Sequence, residues 1–152
     1  MNRRELFAGM VAFPLTAFVG RPQMQAFKAK ALNGESFSNE SLKGKPYLVQ
    51  FWATWCGYCK RDEPAVERIV KESPEVPVIA VSVGEGRQKV RKYLQGSPRT
   101  AKIVVNEDTN LPALFQITSF PTYVLVDAKG GIVEMQEGSG GYEALIALLK
   151  KI

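Results

Sequence analysis

The sequence predicts an α/β domain with a central mixed β-sheet flanked by helices. Two nearly continuous apolar runs, YLVQFWA (Tyr47–Ala53) and VPVIAVSV (Val76–Val83), have the composition of strands buried on both faces. Stretches with apolar residues at helical spacing follow each of them. The chain then closes with a strand, a glycine turn, another strand and a last amphipathic stretch.

In chain order, MNRRELFAGMVAFPLTAFVG begins with Arg3-Arg4 and then runs uncharged from Leu6 to Val19. That is the layout of an export signal. The arginine pair followed by Glu5, Leu6 and Phe7 also resembles a twin-arginine signal. The run is short for a membrane span, which takes about 20 apolar residues, and Pro14 interrupts it. Residues 1–27 are therefore read as a signal peptide or an N-terminal membrane anchor, and residues 28–152 as the folded domain. An amphipathic helix packed on the domain is the alternative. Export would put the protein in the periplasm or envelope, where a dithiol stays reduced only if something supplies electrons.

Next, FKAKALNGESFS has Asn33-Gly34 between short alternating runs, the signature of an N-terminal β-hairpin. From about Cys56 to Glu72 the pattern is helical, with Val66, Ile69 and Val70 on one side and a kink expected near Pro64. Val90, Tyr93 and Leu94 mark a short basic helix. KIVVN (Lys102–Asn106) is a third strand and LPALFQI a short helix. FPTYVLVD (Phe120–Asp127) and IVEMQEG form a second hairpin around Lys129-Gly130-Gly131. Tyr142, Leu145, Ile146 and Leu149 give the stripe of a C-terminal helix.

The 152 residues suit one domain with an ordinary core. Net charge is +5. Residues 1–27 hold three of the 20 basic and one of the 15 acidic residues, leaving 17 against 14. That excess is too mild to argue for nucleic acid. The chain has no histidine, which excludes histidine-based triads and histidine-ligated metal centres.

The two cysteines, Cys56 and Cys59, lie within FWATWCGYCKRDEP. Cys56 follows a buried strand and begins a helix, where unpaired N–H groups and the helix dipole stabilise a thiolate. Lys60 and Arg61 add positive charge. Cys59 is one helical turn on, with its sulfur in reach of Cys56. The spacing admits three readings. One is a redox pair in which Cys56, the more exposed, attacks a disulfide and Cys59 resolves the mixed disulfide. The others are a structural bond, which at this ring size constrains little of the unfolded chain, and a metal site bridged between two chains. Resolution requires a proton acceptor. Asp62 and Glu63 are the candidates, Asp62 on the helical side of both cysteines and Glu63 four residues from Cys59. Trp55, Tyr58 and Phe120 read as an apolar rim for a substrate polypeptide, with Trp52 as core. The run Arg87, Lys89, Arg91 and Lys92 reads as a solvated helix face.

FWATWCGYC, SFPTYVLVDAKGGIV and GSGGYEALIALLKKI together resemble the thioredoxin-like fold, and within it the TlpA/ResA-like thiol–disulfide oxidoreductases. The segment from Gly84 to Asp108 resembles the extra helix and strand of that branch. The resemblance implies a cis bond at Phe120–Pro121 beside the cysteines, a substrate strand running past Trp55, Gly57, Tyr58, Phe120 and Pro121, and a Cys56–Cys59 redox disulfide needing no dissociable cofactor. It also implies protein substrates with disulfides, including apocytochrome c, and electrons from a membrane dithiol carrier of the DsbD/CcdA type. Its acidic helix residue maps onto Asp62, where glutamate is usual. Gln50 stands where ordinary thioredoxins carry a buried aspartate. Gly57-Tyr58 resembles instead the dipeptide of DsbC-type isomerases. An envelope isomerase or oxidase, a non-enzymatic metal-binding chaperone and a noncatalytic interaction module therefore stand as alternatives to a reductase.

Overall fold

The computed structural model describes residues 20–152. Most of the expected signal or anchor, residues 1–19, lies outside them. The packed chain nonetheless begins before residue 28. Arg21 pairs with Asp127 at 2.9 Å, Met24 N–H donates to the Gly130 carbonyl at 2.8 Å, and Phe27 is buried.

Seven strands form one sheet: β1 (Lys28–Ala31), β2 (Ser36–Ser38), β3 (Tyr47–Trp52), β4 (Val78–Ser82), β5 (Lys102–Thr109), β6 (Thr122–Val126) and β7 (Ile132–Glu137). Their order is β2-β1-β5-β4-β3-β6-β7. The three central strands β5, β4 and β3 run parallel, and every other pairing is antiparallel. The four helices are α1 (Gly57–Glu72), α2 (Arg87–Gly96), α3 (Leu111–Phe115) and α4 (Gly141–Leu149). This is the mixed-sheet, thioredoxin-like α/β fold, with the hairpin β1–β2 on one edge and β6–β7 on the other.

Alternation along β3 divides the core. Leu48 and Trp52 face the cluster that holds Val66 and Ile69 of α1, Val90 of α2, and Leu145 and Leu148 of α4. Tyr47, Val49 and Phe51 face the N-terminal segment, the hairpin and α3. Every residue of β3, β4 and β6 is buried, as strands covered on both faces require. The third strand runs past Asn106 to Thr109, because β1 pairs along it through a register shift. α1 is one helix with Pro64 inside it. The buried stripe of α4 includes Leu148, with Tyr142, Ile146 and Leu149 partly buried beside it.

Register brings the loops of interest together. Trp52 lies opposite Ser82, and Phe51 lies opposite Thr122. The ends of β3 and β4 and the start of β6 therefore meet at one edge. Parallel β3 leaves that edge into α1, which is where such sheets form crevices.

Candidate active site

Cys56 caps α1. Its backbone is extended (φ −83°, ψ 110°), and its Sγ accepts from the Cys59 N–H at 3.1 Å. A sulfur thus takes the role usually given to a serine or aspartate oxygen, meeting one orphan donor of the helix start. Cys56 and Cys59 form a disulfide with Cα atoms 5.2 Å apart. The pairing is local, as the C-x-x-C spacing on one turn allows.

Cys56 is the more accessible of the two cysteines, as expected, though both are buried. It is only 5% accessible, against 1% for Cys59. The disulfide turns its sulfur toward Cys59, and the half-buried Phe120 packs on the same cluster. Trp55 and Tyr58 are the exposed aromatics, at 63% and 59%. Trp55 stands edge-on to Phe120 with centroids 5.6 Å apart, and Arg61 lies over the Tyr58 ring. Trp52 is fully buried. The Phe120–Pro121 bond is cis, and Pro121 is buried at the start of β6. Gly57 has open space where a Cβ would stand.

Two acids that neighbour one another in sequence part company. Asp62 is 1% exposed and shares the buried face of α1 with Cys59, Val66 and Ile69. Its carboxylate accepts from the Tyr123 hydroxyl at 2.7 Å, from Ser139 Oγ at 2.7 Å and from the Gly141 N–H at 3.1 Å. Glu63 turns toward α2, where it accepts from the Tyr93 hydroxyl at 2.7 Å and Ser97 Oγ at 2.9 Å. Burial and then Glu63 push the Tyr93 phenol up to about 12. Neither acid is the solvated group that its nearness to the helix start suggests. Lys60 and Arg61 lean over Tyr93 and Tyr58. Arg87 and Lys89 of the basic run are held by Asp108 and Glu85.

Three side chains that sequence reasoning missed stand around the site. Glu85, with a side chain 1% exposed, accepts from Thr54 N–H at 2.7 Å, from the Thr54 hydroxyl and from Ser82 Oγ at 3.1 Å. It fastens the loop from β4 to the segment that leads into Cys56. Burial alone would raise its carboxyl, but the Thr54, Lys89 and Ser82 contacts together hold it below the usual glutamate range. Tyr123 reaches from β6 to Asp62, and Gln50 Nε2 approaches the same hydroxyl at 3.5 Å. Arg99, with a side chain 1% exposed, donates to Gln50 Oε1 at 2.8 Å and to Glu67 at 3.2 Å. Glu85 and Arg99 carried no sequence signal, since each lies in a loop whose burial depends on the whole fold.

A cysteine pair at the start of a helix, fed by a central strand and flanked by a cis-proline strand, defines the class of thioredoxin-fold thiol–disulfide proteins. Residues 21–135 match the AhpC/TSA family, and the chain belongs to it. It is 33% identical over 121 residues to the thioredoxin-like protein YneN of Bacillus subtilis, covering 77% of this chain and 71% of the relative. It is 31% identical over 114 residues to the thiol-disulfide oxidoreductase ResA of Halalkalibacterium halodurans, covering 74% of this chain and 65% of that relative. The crystal structure of StoA from Bacillus subtilis superposes with a TM-score of 0.72 at 25% identity, over 84% of this chain and 99% of that one. The protein is a thiol–disulfide oxidoreductase of this type, with a Cys56–Cys59 pair consistent with a redox-active disulfide.

Proposed function

We propose that the protein is an exported reductant of protein disulfides. The observation that carries this is Cys56 at the N-cap of α1, with Cys59 buried one turn below and two exposed aromatics beside them. In the reduced protein the Cys56 thiolate attacks one sulfur of a substrate disulfide. The substrate S–S bond breaks, a mixed disulfide forms and one substrate thiolate leaves. Cys59 then loses its proton and attacks Cys56 Sγ. The mixed disulfide breaks, the second substrate thiolate leaves, and the Cys56–Cys59 bond remains. Two electrons have passed to the substrate, and no dissociable cofactor takes part.

Of the two acids, Asp62 shares the buried helix face of Cys59 and is assigned its proton. Glu63, held by Tyr93 and Ser97, is assigned to tying α1 to α2. Trp55, Gly57, Tyr58, Phe120 and Pro121 are assigned to the substrate strand. Substrates of this reading are envelope proteins whose cysteines must be kept reduced, apocytochrome c among them. Electrons return from a membrane dithiol carrier. The Arg3-Arg4 signal supports export or an N-terminal anchor; among the described residues no helix is long and apolar enough to cross a membrane.

Trapping tests the reading. Cys59→Ala in the native envelope should hold a substrate covalently on Cys56, and the absence of any attached protein overturns it. Gly57-Tyr58 favours a second reading, disulfide isomerisation or donation. A reduction potential near the strongly oxidising end, about −120 mV, would select it over reduction.

A further inference from the structure

Arg99 is an expensive residue to bury. A guanidinium taken out of water needs pairing and full hydrogen bonding, and even a paired one is weak support for stability. Glu67 and Gln50 meet two of its nitrogens at 3.2 and 2.8 Å. The guanidinium lies 5.1 Å over the ring of buried Trp52. Its third nitrogen, Nη1, is buried with no acceptor, and so is Nε1 of Trp52. In the disulfide-bonded protein this spot therefore has donors to spare.

The unpaired N–H of the guanidinium lies on the dithiol side of the sheet, and its charge is shared with Glu67. Gln50 and Trp52 alternate with residues facing the opposite core, and Trp52 belongs to the cluster that contains Cys59. From Gln50 the polar contacts continue to the Tyr123 hydroxyl and on to Asp62, one turn after Cys59. Burial and Asp62 push the Tyr123 phenol up, against smaller opposing contributions from Gln50 and Arg99. Once the disulfide is open, loss of the Cys59 proton puts on this side of the sheet an anion that the oxidised site lacks.

We propose that Arg99 is a positioning residue for the dithiol, a buried cation on the sheet side of Cys59. It keeps Gln50, Tyr123 and Asp62 in line and favours the resolving sulfur as an anion. This rests on Cys59 being the resolving thiol. The other titratable groups facing the same space are Asp62 and Glu67 of α1, Tyr93 of α2 with its partner Glu63, and Tyr123 of β6.

The test titrates the Cys59 thiolate by its ultraviolet absorbance in the Cys56→Ser protein, which needs no reagent to reach the sulfur. Adding Arg99→Met should raise the midpoint by about one pH unit, a roughly tenfold loss of thiolate at a fixed lower pH. Arg99→Lys should recover part of the shift. Glu67→Gln should move the midpoint the other way, because it removes the carboxylate that offsets the guanidinium and leaves Arg99 in place. A merely structural role predicts no such reversal of sign. An unchanged midpoint in folded Arg99→Met overturns the proposal. Should that variant fail to fold, a Glu67→Gln midpoint that does not fall overturns it equally. Mixed-disulfide trapping on Cys56 is independent of these shifts, so failure here leaves the disulfide-reductase reading standing.

Discussion

Glu85 is the side chain by which the β4 loop holds the cysteine loop, and its removal has a cost that can be worked from its contacts. Glu85→Ala leaves three donors without their acceptor: the Thr54 N–H, the Thr54 hydroxyl and Ser82 Oγ. Thr54 and Ser82 are both buried. The two hydroxyls can rotate toward other acceptors, whereas the backbone N–H cannot. A buried donor left unpaired costs about 1–3 kcal/mol, with charged acceptors at the upper end. One fixed N–H at about 2 kcal/mol and two rotating hydroxyls at about 0.5 kcal/mol each give about 3 kcal/mol. The pair with the exposed Lys89 adds less than about 1 kcal/mol. Glu85→Gln keeps an oxygen for the Thr54 N–H and should lose only about 1 kcal/mol. Urea unfolding of the oxidised protein measures both, as midpoint shifts at unchanged slope. Glu85 titrates below its ordinary range, so its contribution is full above about pH 4.3 and fades as pH falls through the lowered value. The gap between parent and Glu85→Gln should therefore narrow toward pH 3. Glu85→Ala unfolding within about 0.5 kcal/mol of the parent would refute the reasoning, as would a Gln variant no better than Ala.

Other measurements bear on neighbouring claims. Trp55→Ala should leave stability within about 1.5 kcal/mol, the worth of an aromatic pair, because the ring is 63% exposed and touches mainly Phe120. It should slow reduction of a protein disulfide while sparing a small one; equal slowing of both removes Trp55 from the docking rim. Leu145→Ala, at 1% exposure against α1, should cost about 2–5 kcal/mol in urea unfolding. Tyr93 is raised, so its contribution is complete below pH 10 and lost as pH rises toward about 12. Urea midpoints measured upward from pH 9 should fall, and fall less in Tyr93→Phe.

The architecture was legible because each buried strand is an uninterrupted apolar run, as in β3 and β4, and each turn is marked by glycine. Asn33-Gly34 and Gly130-Gly131 both sit in turns between paired strands, with Gly34 and Gly130 at positive φ. The cysteine site was legible for a similar reason: its geometry is local, one residue before a helix and one turn into it. What escaped were partners distant in sequence. Asp62 is satisfied by Ser139 and Gly141, which lie 77 and 79 residues away, and no pattern within α1 announces them. Glu63, four residues from Cys59, has the spacing to approach it, yet α2 claims it through Tyr93. That Cys56 is the more accessible cysteine was legible from its place at the helix start; how little of it reaches solvent was not, because the disulfide and Phe120 turn it inward.

Those long-range partners explain how one short segment holds its two sulfurs in place. Residues from Ala53 to Asp62 are secured at both ends and little in between. Glu85 grips Thr54 on the strand side, while Tyr123, Ser139 and Gly141 grip Asp62 on the helix side. Between them the Cys56 N–H meets the Ala53 carbonyl and the Lys60 N–H meets that of Cys56, so the turn closes on itself. None of these contacts runs through a sulfur. Both cysteines belong to the buried cluster and both have exposed neighbours in sequence, Trp55 before Cys56 and Tyr58 and Lys60 around Cys59, but Cys56 is the more accessible, at 5% against 1%. The proposed attacking role of Cys56 and resolving role of Cys59 match that order of accessibility.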